Sequence, residues 1–131
     1  MSVRHVLFAF AACAALNSAQ AASTTGEVTA FAKAARPKFL ASLKDPEAAK
    51  LRNVFVSESK PLDGGKGGSL ILCGEVNGKN SYGGYVGFRR FYSTGGATHV
   101  IDNDEGESFD ALYDALCTKP VSKLAEASRA R

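Results

Sequence analysis

The chain has 131 residues, 45% hydrophobic and 22% charged, which is room for one buried core and too little for two. Sixteen Lys and Arg against thirteen Asp and Glu leave a net charge of +3. That is far below the dense basic stripe of a dedicated nucleic-acid binder and far from an acidic tail, so no nucleic-acid partner is expected.

The chain opens like an address. Arg4 supplies a short positive region, Val6 to Leu16 an uncharged apolar stretch, and Ala19-Gln20-Ala21 the small-x-small pattern that a signal peptidase reads. Residues 1–21 are therefore expected to be a secretory signal peptide, cut near Ala21 or Ala22. Asn17, Ser18 and Gln20 interrupt the apolar run after about eleven residues, whereas a membrane span needs about 20. A lipoprotein cut before Cys13 fits poorly, because Phe10 stands where a Leu-like residue is usual. Removing the leader takes away Arg4, His5 and Cys13 and brings the net charge to +2. The expected mature product is exported, without stable membrane insertion. It is periplasmic if the source cell has an outer membrane and secreted otherwise.

Residues 22–119 read as one α+β domain. Thr24 and Glu27 have capping-box spacing, and Val28, Phe31, Ala32 and Ala35 recur at helical steps, so a helix starts near Thr25. Pro37 is expected to kink or divide it, with Phe39, Leu40 and Leu43 resuming afterward. Asp45-Pro46-Glu47 reads as a fresh capped turn that delivers the chain into a sheet. Strands are expected at residues 54–56, 69–76, 84–94 and 97–101, the second the most apolar and central. The first two are separated by the Gly-rich link Pro61-Leu62-Asp63-Gly64-Gly65-Lys66-Gly67-Gly68. Their short connections imply an antiparallel meander. A closing helix turns Phe109, Leu112, Tyr113 and Leu116 inward and ends at Lys119-Pro120. Residues 120–131 carry no strong pattern and are expected to fray.

Two cysteines remain after leader removal. In an oxidising compartment Cys73 and Cys117 are most simply one disulfide, joining the middle of a strand to the end of the last helix. On this reading the last helix lies on the same sheet face as the first. Closing a loop of about 45 residues is worth about 4 kcal/mol by chain entropy. A redox pair would want Cys-x-x-Cys, which the chain lacks.

The strings Asp45-Pro46-Glu47-Ala48-Ala49-Lys50-Leu51-Arg52-Asn53-Val54 and Cys73-Gly74-Glu75-Val76-Asn77-Gly78-Lys79-Asn80-Ser81-Tyr82-Gly83-Gly84-Tyr85-Val86-Gly87-Phe88 resemble small exported bacterial and prophage-associated proteins. Those pair a D-P-x-x-A-x-x-[FL]-R segment with C-G-x-V-N-x-K-N-x-x-G-G-Y-x-G and a late cysteine. The likeness covers about residues 40–117. It implies a shared fold and export, supports the Cys73–Cys117 pairing, and brings no activity with it.

The residues bear on several chemistries. Lys66 precedes Gly67-Gly68 and a strand, unlike the Gly-Lys-[Ser/Thr] of a phosphate loop. Asp102, Asp104 and Glu105 put Tyr113 where a calcium loop needs its last Glu. His99 is the one histidine left after the leader, so a multi-histidine zinc site is excluded and no metal or cofactor is expected. His99 with Asp102 lacks a Gly-x-Ser-x-Gly elbow. Glu75 facing Glu58 or Asp102 would suit a small cell-wall hydrolase, the alternative reading. The preferred reading has no catalytic residues. It is an exported binding module, such as an inhibitor or exclusion factor, that recognises a protein or envelope component. Asn77, Asn80, Tyr82, Tyr85 and Arg89 are the candidate ligand-binding residues, with a self-satisfied polar turn as the plain alternative. Arg89 and Arg90 must point to opposite faces of a regular strand.

Overall fold

A computed structural model describes residues 23–60, 68–103 and 107–123. The leader, most of the Gly-rich link, Asp104, Glu105 and residues 124–131 lie outside the described residues, so the expectations placed on them are left there. Seven elements follow in order: α1 (Thr25–Ala41), β1 (Lys50–Ser59), β2 (Ser69–Asn77), β3 (Arg89–Ser93), β4 (His99–Ile101), α2 (Glu107–Cys117) and β5 (Pro120–Lys123). The chain is α+β, with one antiparallel sheet in the order β4-β3-β2-β1-β5.

α1 begins as its sequence dictates. The Thr24 hydroxyl accepts the Glu27 N–H while the Glu27 carboxylate accepts the Thr24 N–H, a reciprocal cap that satisfies two otherwise orphan donors. Pro37 does not divide the helix, which runs unbroken to Ala41. The proline is exposed, so the carbonyl that loses its helical donor faces water. Asp45 caps as expected, accepting the Ala48 N–H at 3.2 Å, but the segment is a turn and β1 already starts at Lys50.

The meander of four strands is present, and a fifth corrects it. Pro120–Lys123, expected to belong to a frayed tail, pairs antiparallel with β1. A proline is tolerated as the first residue of an outer strand, where no ladder donor is needed from it. β3 is shorter than expected because residues 78–88 form a structured loop with a single bridge, Lys79 to Tyr85.

Side-chain alternation decides the layering. Leu72 and Val76 of β2, with Val54, Val56 and Phe91, face α1 and bury Val28, Ala32, Ala35 and Phe39. Ile71 and Cys73, with Tyr92, face the other way and meet Phe109, Leu116 and Cys117 of α2. The helices therefore cover opposite faces, contrary to the same-face expectation, because Cys73 has the opposite parity from Leu72. The Cys73–Cys117 disulfide is formed and ties α2 to the central strand. Leu112, expected to face inward, is 43% exposed, since α2 offers only a narrow apolar stripe.

Two backbone details set the faces. Gly74 pairs with Phe91, and a Cβ there would press on the Phe91 ring and on Val54 at 3.1 Å, so glycine lets the ring lie across the strand. Phe91 stacks on Phe39 with centroids 3.9 Å apart. In β1, Asn53 adopts φ 51 at a bulge that puts Arg52 and Phe55 on the α2 face, opposite Glu75 and Cys73.

Candidate recognition site

The β2–β3 loop is built from its own asparagines. Asn77 Oδ1 accepts the Gly87 N–H at 3.1 Å, and Asn80 Oδ1 accepts the N–H groups of Tyr82 at 3.0 Å and Gly84 at 3.1 Å. The Asn80 N–H donates to the Gly84 carbonyl at 2.8 Å, and Gly83 returns a bond to the Asn80 carbonyl. Gly83 and Gly87 sit at φ 80 and 93, which side chains rarely adopt. Both Asn carbonyl groups are thus turned onto the loop and define its shape.

From this loop Tyr82 projects 97% exposed. Tyr85 instead lies against the turn between α1 and β1. Its hydroxyl donates to the Ala48 carbonyl at 3.0 Å, and its ring is flanked by Lys50 Nζ at 4.6 Å and Lys79 Nζ at 5.6 Å. Lys44 donates to Ser81 Oγ at 2.6 Å, and Lys79 Nζ lies 3.9 Å from Asp45. The two turns are strapped together, and their shared surface carries three lysines, two of them beside the Tyr85 ring.

Between them opens a pocket of about 280 Å³, with Leu43, Val76, Val86 and Ile101 below and Lys44, Lys79 and Arg89 at its rim. Arg89 donates from Nη1 to the Asp102 carbonyl at 3.1 Å. Of the five candidate ligand-binding residues, Tyr82 and Tyr85 stand on the exposed surface and Arg89 lines the pocket. Asn77 and Asn80 serve the loop.

Arg90 takes the opposite face, as strand parity requires. It pairs with Asp102 at 3.0 Å and with Asp110, and its guanidinium lies 5.3 Å from the Phe109 ring centroid and 5.2 Å from that of Tyr113. Beside it Arg52 forms a two-pronged contact with Glu75, both bonds 2.9 Å, and Asn53 adds a third donor at 2.7 Å. The Arg52 hydrogen bond holds the Glu75 carboxyl below the usual carboxylate range, against its partial burial. Burial pushes the Tyr113 phenol up.

This geometry corrects the paired-acid expectation. Glu75 stands opposite Arg52, while Glu58 stands opposite Leu70 near the far end of β1. Five residues of β2, from Leu70 to Glu75, separate the two positions by about 17 Å, beyond the roughly 5–10 Å that glycoside hydrolysis needs. Asp102 is separated from Glu75 by Arg90. His99 does not meet the Asp102 carboxylate either: its Nδ1 is 2.8 Å from Ser93 Oγ and its ring abuts Phe39 on the α1 side. Ser93 is fully buried. Among the described residues no group of three or more His, Cys, Asp or Glu gathers as a metal site, and no helix is long and apolar enough to cross a membrane.

Lys44, Lys50 and Val86 were not legible as site residues. No family model matches the chain, and neither a curated protein nor a solved structure matches it.

Proposed function

We propose that the chain is an exported, non-catalytic binding module that recognises an anionic protein or cell-envelope component through the strapped pair of turns. The observation that carries this is Tyr82, 97% exposed at the tip of a loop that Asn77 and Asn80 hold in shape. A tyrosine offers a large contact area at low entropic cost, and a loop already ordered has little freedom left to lose on docking. Lys44, Lys50 and Lys79 around the same surface select for negative charge.

Export is part of the reading. A disulfide is at home in an oxidising compartment, and the resemblance to small exported bacterial and prophage-associated proteins points the same way. An inhibitor or an exclusion factor is the role that this size and surface suit. The hydrolase alternative loses support, since Glu75 is held as an anion by Arg52 and Glu58 stands near the far end of β1.

Immobilised protein exposed to envelope extract tests the proposal. Wild type is expected to retain a partner that Tyr82→Ala and Lys79→Glu lose, with release at high salt. Equal recovery by all three would overturn it, as would product release from purified peptidoglycan.

A further inference from the structure

The pocket between the two turns has a floor and a rim of opposite character. Leu43 and Ile101 pack against the α1 side of the core yet stay only partly buried where they line it, and Val86, 48% exposed, forms a wall. Lys44, Lys79 and Arg89 bring three cations to its lining, against the one carboxylate of Asp45. That carboxylate is already engaged: one oxygen accepts the Ala48 N–H at 3.2 Å and the other lies 3.9 Å from Lys79 Nζ. Lys44 donates at 2.6 Å to a neutral partner, the Ser81 hydroxyl. The lining therefore offers positive charge above an apolar floor, which suits an occupant with an anionic head and an apolar body.

Size and surroundings narrow that occupant. A cavity of about 150 Å³ holds a benzene ring, so a pocket of about 280 Å³ holds one large side chain together with its own carboxylate. An internal residue of a chain would bring neutral amides to the rim on both sides, whereas a terminal residue carries its carboxylate on the same carbon as its side chain. A free amino acid or small carboxylic acid has that outline too. The surface continues past the rim, however: Ser81, which receives Lys44, is followed by Tyr82 at 97% exposure. A small molecule leaves that tyrosine unused, while a chain whose last residue enters the pocket has further residues to lay on it.

We infer that the pocket takes the C-terminal residue of a partner polypeptide, with its apolar side chain on Leu43, Val86 and Ile101 and its α-carboxylate among Lys44, Lys79 and Arg89. The inference names the part of the partner that the binding-module reading leaves open, and rests on that reading. Charge-assisted hydrogen bonds at the rim select the free end, and the floor selects an apolar side chain.

The probes are fluorescent Gly/Ser peptides that end in Val, Leu, Phe or Tyr with a free carboxylate, titrated into the disulfide-bonded protein and read by anisotropy. At least one is expected to bind, and its C-terminal amide to bind about tenfold more weakly, since hydrogen bonds to a charged group are lost. Lys44→Gln should weaken the free acid about fivefold and leave the amide unmoved. Val86→Glu should abolish binding of the free acid, and Lys33→Gln, on the exposed side of α1, should change neither ligand. The acid-against-amide comparison is made on wild type and does not depend on how a variant folds. Equal binding of acid and amide, or no binding of any free acid at about 1 mM, would overturn the inference. So would equal affinity for the N-acetyl amino acids alone, or for peptides carrying the same residue internally beside an Asp. If the peptides fail while wild type retains an envelope partner that Tyr82→Ala loses, the binding-module reading stands without this pocket. If the peptides bind and envelope extract yields no partner, the pocket stands and the envelope partner falls.

Discussion

The two faces of the sheet are stabilised by different means. On one, the 17-residue α1 lays Val28, Ala32, Ala35 and Phe39 onto Val54, Val56, Leu72, Val76 and Phe91 without any covalent link. On the other, the 11-residue α2 buries Phe109, Leu116 and Cys117, and beyond Cys73 the face passes to Arg52, Glu75 and Arg90. Burying Phe109 and Leu116 is worth about 3–6 kcal/mol, the same order as the roughly 4 kcal/mol of the cross-link. A short helix on a half-polar face depends on its tether, whereas a longer one on a continuous apolar face does not.

Breaking that contrast starts with the sulfurs. Cys73→Ser with Cys117→Ser is expected to cost about 4 kcal/mol by urea unfolding, with amide exchange rising in residues 107–117 before residues 25–41. Phe39→Ala removes the ring stacked on Phe91 and is expected to cost about 3 kcal/mol; here exchange should rise across both helices together. Glu75→Gln sharpens the polar half of the contrast. Because the folded carboxyl titrates below its ordinary value of about 4.3, its contribution is present above that pH and fades as pH falls through the folded value. The gap in urea midpoint between wild type and variant should therefore be open at pH 7 and narrow as pH falls below the ordinary carboxylate range. Tyr82→Ala should change stability by less than about 0.5 kcal/mol, while abolishing partner retention.

How much of this was legible depended on whether a rule was local. The Thr24 cap follows from spacing, the Cys73–Cys117 link from the two cysteines expected to remain in an oxidising compartment, and the opposed directions of Arg89 and Arg90 from parity, and the fold contains all three. The two-sided covering departs from the same-face expectation, and Leu70-Ile71-Leu72-Cys73 carries its signal: an uninterrupted apolar run is that of a strand buried on both faces. β5 has no such signature, since Pro120 and Ser122 are not strand formers and pair only because β1 extends past them. For the candidate site, the loop residues were named from their chemistry. Lys44 and Lys50, which arrive from a turn more than 30 residues away along the chain, were beyond any local pattern.

The sheet's margins carry one last consequence. Among the described residues its outermost strands are β4, three residues long, and β5, four residues long and led by a proline that has no N–H to offer. A neighbouring molecule looking for a template on which to add its own backbone finds only a few rungs at either border. Such blunted borders oppose ribbon-like growth of copy upon copy.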